Sequence, residues 1–277
     1  MSGPRSRPAG AGRRYTIVDR LRLIRRFLAM FVVIYGLLLV FWTCRALDWL
    51  LRRQLAPRVT TLVCRSCLHI LGIRLNISGL RMSHAGAVVA NHSSWLDILV
   101  LNAVQQVFFV SKGEVRRWFG IGVLARSTGT VFIERKVSQA RKQRATLVER
   151  LARGDKLLFF PEGTSSDGLR VLPFKTTLFA AFFEPAIHEA IFVQPMSVSY
   201  HSPEGEREDF YAWFADAEML PHLVKVLSAP KGGHVDVVFH QPLKASEFAD
   251  RKQLARECER IVRDGKSIGN REAADPN

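Results

Sequence analysis

Acidic residues are in short supply in this chain. Aspartate and glutamate total 25 against 40 lysines and arginines, which leaves a formal charge of +15. That imbalance points to a polyanionic partner surface, either nucleic acid or an anionic membrane leaflet. Cysteine is scarce too: Cys44, Cys64, Cys67 and Cys258 do not make the pattern of a secreted disulfide framework. Cys64-Arg65-Ser66-Cys67 is a lone C-x-x-C with no second pair for zinc. It lies in an apolar helical run rather than at a strand-to-helix turn, where a redox motif belongs, so buried thiols are expected. The G-x-S-x-G elbow of serine hydrolases is missing, as are internal repeats and any motif that reads DNA or RNA. His69, His84, His188, His201, His222, His234 and His240 show no ligand spacing, and no metal is expected.

Apolar residues are plentiful. At 48% of 277 residues they exclude a mainly disordered chain, and the length suits one substantial α/β domain plus an appendage. Residues 1–14, mostly Gly, Pro, Ser and Arg, read as a disordered basic arm. Phe27 to Cys44 is an uncharged run of 18 residues, at the lower edge of membrane-spanning length. No small-x-small cleavage site closes it, so an uncleaved anchor is expected rather than a signal peptide. Eight arginines before Phe27 favour a cytoplasmic amino terminus, yet Arg45, Arg52 and Arg53 beyond the run ask for the same side. Two arrangements reconcile these flanks. Either the helix enters and returns, partnered by the weaker apolar segment Val59–Ile73, or it lies in the interface with its basic ends on lipid phosphates.

From Arg74 onward, short apolar runs alternate with helical patterns. Strands are predicted at Arg74–Ser78, Ala87–Ala90, Val107–Ser111, Thr130–Glu134, Lys156–Phe160, Ile191–Tyr200 and His234–His240. Helices are predicted at Ser94–Ala103, Ser138–Arg153, Leu172–Phe183 and Ser246–Asp264. The alternation predicts an α/β fold, a mostly parallel central sheet flanked by helices, with an apolar helical membrane motif at its amino end. The segments are then a membrane-associated helical region over 15–73, the α/β domain over 74–264 and a frayed tail over 265–277. Residues 201–233, rich in charge, Pro and Gly, suggest no role.

The chain is organised around Gly86-Ala87-Val88-Val89-Ala90-Asn91-His92-Ser93-Ser94-Trp95-Leu96-Asp97. A buried strand ends on Asn91 and His92, and Ser94 three residues before Asp97 has the spacing of a capping box at a helix start. His92 thus falls at the carboxyl end of a strand, where open α/β sheets bind ligands. Five residues apart on one helix, His92 and Asp97 would diverge; they meet only if His92 precedes the helix and folds back over its first turn. Asp97 would then hold one ring nitrogen and leave the other as an acceptor, able to take a proton near neutral pH. A satisfied turn histidine beside a dipole-complementing aspartate accounts for the stretch equally well.

A second strand runs into Pro161-Glu162-Gly163-Thr164-Ser165-Ser166-Asp167-Gly168, a turn whose main-chain N–H groups suit an oxyanion or a phosphate ester. In a third run, Gly129-Thr130-Val131-Phe132-Ile133-Glu134-Arg135, an arginine stands just past a strand end. Each is weak in isolation. In order, Asn91-His92-x-x-x-x-Asp97, Gly129-x-x-Phe132-Ile133-x-Arg135 and Phe160-Pro161-Glu162-Gly163-Thr164 resemble the glycerolipid acyltransferases, typified by 1-acylglycerol-3-phosphate acyltransferases. The resemblance covers roughly residues 70–200, with Val193-Gln194-Pro195-Met196 where that family carries a fourth block.

That resemblance implies roles. His92 would be the general base that deprotonates the acceptor hydroxyl, with Asp97 fixing its tautomer. Arg135 would bind the acceptor phosphate and Glu162, Gly163 and Thr164 would complete the acceptor pocket, with Asn91, Lys112 and Ser165 also on the substrate-binding side. The donor would be an acyl thioester of coenzyme A or acyl carrier protein, with no other cofactor and no metal. A thioester is already activated, so a base and good positioning suffice. The chain would sit on the cytoplasmic face of the inner membrane. One departure bears on the acceptor. Lysophosphatidate enzymes commonly read Glu-Gly-Thr-Arg, and here Ser165 replaces that arginine, a loss of about 1.5–3 kcal/mol of phosphate binding. Arg170 or Lys175 could substitute. The expectation is lysophosphatidate first, with the phosphate-free lyso-ornithine lipid as the alternative. A hydrolase using Ser93 or Ser94, and a non-enzymatic binder of anionic membrane, are the competing classes.

Overall fold

The chain is described here from a computed structural model, over residues 15–51, 55–118, 120–134, 137–215 and 217–274. The basic arm over residues 1–14, Arg52, Arg53 and Arg135 lie outside those residues. Helix α1 (Ile17–Phe31) starts at Thr16, which forms a reciprocal capping box with Asp19. One of its faces is docked on the domain. Arg26 is buried and donates to the carbonyls of Leu227 and Ala229, and Arg22 donates to that of Ser228. The opposite face, with Ile17, Leu21, Ile24 and Leu28, is exposed.

A single π turn (Val32–Gly36) joins α1 to α2 (Leu37–Leu51). Together Ile17–Leu50 make one helix of 34 residues, long and apolar enough to cross a membrane. Only 11% of its most apolar window is buried, so it is not the core helix of a soluble protein. Helix α3 (Ala56–Leu71) packs back against α2. Asp48 caps it by accepting the N–H groups of Leu55 and Ala56, and Gly72, at φ 74°, closes it in the left-handed conformation. Cys64 and Cys67 are buried in α3.

The sheet has eight strands among the described residues: β1 (Arg74–Ser78), β2 (Gly86–Ala90), β3 (Phe108–Lys112), β4 (Val131–Ile133), β5 (Leu157–Phe159), β6 (Phe192–His201), β7 (His234–Phe239) and β8 (Leu243–Lys244). Their order is β1-β7-β6-β2-β5-β3-β4, with β8 beside β6. Neighbours run parallel except at β6–β7 and β6–β8. Strand β2 is buried along its whole length between β5 and β6, which explains its continuous apolar run. Helices α4 (Leu96–Val104) and α7 (Met219–Ser228) cover one face together with α1 and α3. The arginines of α1 therefore satisfy the last carbonyls of α7, where a helix leaves them unpaired. The other face is covered by α6 (Ala140–Ala152), the 3₁₀ turn Leu178–Phe183 and α8 (Arg251–Ala274). Helix α5 (Ile121–Ser127) lies between β3 and β4 in sequence.

The fold class is as expected, with three corrections. Leu172–Phe183 is not a regular helix: its first half is irregular and only Leu178–Phe183 winds, as 3₁₀, because Pro173 removes a donor and disfavours helix before it. The last helix does not end at Asp264, since α8 continues to Ala274 and buries Lys266. Within residues 201–233, where no helix is predicted, α7 forms on the apolar positions Val226 and Leu227.

Gly86 opens β2 at φ 154°, and a Cβ there would lie 1.8 Å from the Phe192 carbonyl oxygen on the neighbouring strand. Backbone cannot yield as a side chain can. Gly86→Ala is expected to cost about 2 kcal/mol or more, read as a lowered midpoint of thermal unfolding.

Candidate active site

The site is built on the loop that leaves β2. His92 lies before α4 and folds back, so that its Nδ1 is 2.7 Å from Asp97 Oδ2. The same oxygen accepts the N–H groups of Ser93 and Ser94, at 2.9 and 3.1 Å, and Tyr200 donates its hydroxyl to Asp97 Oδ1 at 2.7 Å. Asp97 is fully buried, whereas the His92 side chain is 21% exposed. With Nδ1–H given to a carboxylate, Nε2 is left as the proton acceptor. The capping box differs from the expected one. Asp97 does reach back to the Ser94 N–H, but Ser94 Oγ accepts from Leu96 rather than from Asp97.

The backbone of His92 is held from both sides. Its N–H donates to Glu162 Oε1 at 2.6 Å, and its carbonyl accepts from the N–H and hydroxyl of Ser166, at 2.8 and 3.1 Å. The imidazole stacks on Phe160, ring centroids 4.1 Å apart and planes 13° from parallel. Glu162 Oε2 accepts the Leu172 N–H at 2.8 Å, so one carboxylate ties the His92 loop to the far end of the Pro161–Leu172 turn. Asn91 points the other way. Its side chain exchanges two hydrogen bonds with the backbone of Val198 on β6, at 2.8 and 2.9 Å.

The structure thus brings together Asn91, His92, Asp97 and Glu162. Gly163, at φ 70°, follows in the same turn, where an added Cβ would lie 2.8 Å from Lys175 Nζ. Thr164 is exposed and Ser165 half-buried, and neither side chain bonds to His92, Asp97 or Glu162. Lys112 ends β3, two strands from β2. Ser93 Oγ is buried with no hydrogen-bond partner and Ser94 Oγ is spent on the backbone, so neither serine is paired with His92 as a nucleophile. Sequence reasoning missed Tyr200 as a partner of Asp97 and Ser166 as a partner of the His92 carbonyl. No local spacing links them to His92; topology alone carries them there.

A cavity of about 920 Å³ is lined by Phe31 and Tyr35 of the long apolar helix together with Arg116, Arg117, Trp118 and Phe132. Trp118 in its lining meets Trp213 edge-on, and the backbone N–H of Trp213 donates to the Ser93 carbonyl. Among the described residues one group has metal-ligand character, His201, His234 and Asp236. Its two imidazoles lie in parallel stack, Asp236 already accepts from His201 and Asn76, and Arg74 stands opposite His234 in the sheet register. Their ligand atoms lie within 4.8 Å of one another, and hydrogen bonds join Asp236 to His201 and Asn76.

An imidazole whose Nδ1 is held by a buried carboxylate keeps Nε2 free to accept a proton, the arrangement a general base requires. Comparison with known proteins gives the family. Residues 74–199 match the acyltransferase family profile. The chain is 49% identical over 253 residues to a lyso-ornithine lipid O-acyltransferase of Rhodobacter capsulatus, spanning 90% of this chain and 92% of that one. The chain belongs to the lysolipid acyltransferases. It is also 33% identical to a 1-acyl-sn-glycerol-3-phosphate acyltransferase of Neisseria meningitidis, over 72% of this chain and 77% of that one. The crystal structure of the LPA acyltransferase PlsC of Thermotoga maritima superposes on it with a TM-score of 0.66, at 20% identity, covering 91% of this chain and 97% of that one. As a lysolipid O-acyltransferase with an exposed apolar helix, the protein is membrane-associated.

Burial pushes the Glu162 carboxyl up to about 7 against the pull of the two N–H groups it accepts. Its folded value lies above its unfolded one, so folding binds a proton between pH 4.5 and 7, and the stability this group contributes at low pH is lost as pH rises through that window. Relative to Glu162→Gln, the wild type should lose about 3 kcal/mol from pH 4.5 to 7. Chemical denaturation of both proteins across that range measures the difference.

Proposed function

We propose that this enzyme transfers an acyl group from a thioester to the hydroxyl of a lyso-ornithine lipid. The 49% identity to the Rhodobacter capsulatus enzyme over nearly the whole chain carries the reading. Ser165 supports it, since an acceptor without a phosphate does not need the arginine that lysophosphatidate enzymes commonly carry there. The identity to the lysophosphatidate enzyme is lower and less extensive, which puts lysophosphatidate, ranked first on the sequence alone, second here.

In the proposed mechanism His92 Nε2 takes the proton of the acceptor hydroxyl as its oxygen attacks the thioester carbonyl. The tetrahedral intermediate collapses, the C–S bond breaks, and the imidazolium returns its proton to the departing thiolate. Asp97 holds the tautomer and stabilises the transient imidazolium, much as the carboxylate does in serine-protease triads. Gly163 and Thr164 shape the acceptor side of the cleft, with Lys112, Ser165 and Arg135 as the remaining substrate-binding residues, while the buried Asn91 and Glu162, expected to bind substrate, hold the backbone around His92 instead. The donor is acyl-coenzyme A or acyl carrier protein. The enzyme sits on the cytoplasmic face of the inner membrane, where its charge of +15 meets anionic lipid.

Purified protein in detergent, given an acyl thioester and each lysolipid in turn, should turn over lyso-ornithine lipid at least about tenfold faster than lysophosphatidate, a discrimination of about 1.4 kcal/mol. Equal or inverted rates return lysophosphatidate to first place. His92→Ala should lower thiol release about a hundredfold or more; undiminished turnover removes His92 from the mechanism.

A further inference from the structure

A second cavity, of about 820 Å³, lies at the end of the sheet opposite to His92. Strands β2, β5 and β3 run parallel, and His92 follows the carboxyl end of β2. Phe108, which opens β3, and Lys156, which precedes β5, line this cavity and mark the amino ends. Arg45, Arg58, Arg65, Arg81 and Lys156 face two carboxylates across it, Asp48 and Asp155. Both carboxylates are engaged elsewhere: Asp48 accepts the N–H groups of Leu55 and Ala56, and Asp155 pairs with Arg150. Lys156 donates to the Met82 carbonyl, Arg65 donates through Nε to that of Ala103, and Arg81 lies over the Phe239 ring. Arg45 and Arg58 have no hydrogen-bond or ion-pair partner among the described residues. The cavity is therefore a positive field with two uncommitted guanidinium groups.

An independent observation points to a bound group. Gln105, at the end of α4, lines the cavity and is only 7% exposed, yet neither its amide nitrogen nor its amide oxygen has a hydrogen-bond partner. A buried amide left in that state is costly, and a leucine would fill the space without it. The amide asks for two things together, an acceptor for its N–H groups and a donor for its oxygen. A phosphodiester supplies the first, and a hydroxyl on the same head group supplies the second. Phe41 and Trp49 of the long apolar helix also line the cavity, and Trp49 is 86% exposed. Indole rings in such positions sit at the level of lipid head groups.

We propose that this cavity holds the head group of an anionic phospholipid. The phosphodiester lies between Arg45, Arg58 and the Gln105 amide nitrogen, a head-group hydroxyl donates to the Gln105 oxygen, and the acyl chains run along α2. The lipid is a bound component and not a substrate, since the cavity and His92 stand at opposite ends of the sheet. The site is independent of the role of His92 and of which lysolipid is acylated.

The test uses the full chain in nonionic detergent, titrated with phosphatidylglycerol or phosphatidylcholine carrying brominated acyl chains. Bromine quenches a tryptophan that it touches, and the quenching missing from Trp49→Phe isolates Trp49 from the other four. The expected result is saturable quenching of Trp49 by phosphatidylglycerol, with phosphatidylcholine needing about tenfold more lipid. Arg45→Gln combined with Arg58→Gln, both exposed, should raise the half-saturating phosphatidylglycerol about tenfold. Gln105→Leu should weaken binding about fivefold while holding or raising the midpoint of thermal unfolding, because it removes the unpartnered amide. Equal quenching by the two lipids overturns the proposal, since it marks lipid on an apolar helix without a head-group site. Unchanged affinity in the arginine variant overturns it too. So does displacement of phosphatidylglycerol by inorganic phosphate or by coenzyme A at matched concentration, which would make the cavity a site for a free anion or for the donor.

Discussion

The carboxylate of Asp97 is the constraint from which the rest of the site follows. Fully buried, it accepts from the His92 ring and from two successive backbone N–H groups on one oxygen, and from Tyr200 on the other. Burying a carboxylate is tolerable only with its acceptor capacity used, and here four donors use it. Those donors define the geometry: the loop from β2 must curl over the first turn of α4, and the imidazole must lie in one orientation. Phe160 beneath the ring, and Glu162 and Ser166 on the backbone, remove the remaining freedom. The pre-organisation is local and redundant.

Much of this was legible in the sequence because its signals are local. The β2–His92–α4 passage is a strand, a turn and a helix start within 12 residues, and each leaves its own periodicity or spacing. The Pro161–Gly168 turn announces itself by composition. What stayed hidden is what the topology supplies. Tyr200 reaches Asp97, and Lys266 the Val198 carbonyl, only because β6 lies beside β2 and α8 packs across β6. Nothing in an alternating strand pattern distinguishes Tyr200 from any other aromatic. A lysine in a charged helix reads as solvated until the helix is seen to bury that face. The 172–177 stretch misled for the opposite reason, since its apolar spacing imitates a helix that Pro173 breaks.

The arginines before the apolar run acquire a second meaning. By sequence they are topology signals; in the structure Arg22 and Arg26 close the carboxyl end of α7. The membrane-facing helix is thereby part of the domain and not tethered to it. Its exposed stripe of Ile17, Leu21, Ile24 and Leu28 lies opposite the docked face, so contact with lipid and contact with the core share one rigid rod.

Because the rod is bonded to α7, and Trp95 on the histidine loop donates its indole N–H to His222 of α7, the chain has a built-in depth gauge. How far the imidazole stands from the exposed apolar stripe of α1 is set by folded geometry and not by the slack of a linker.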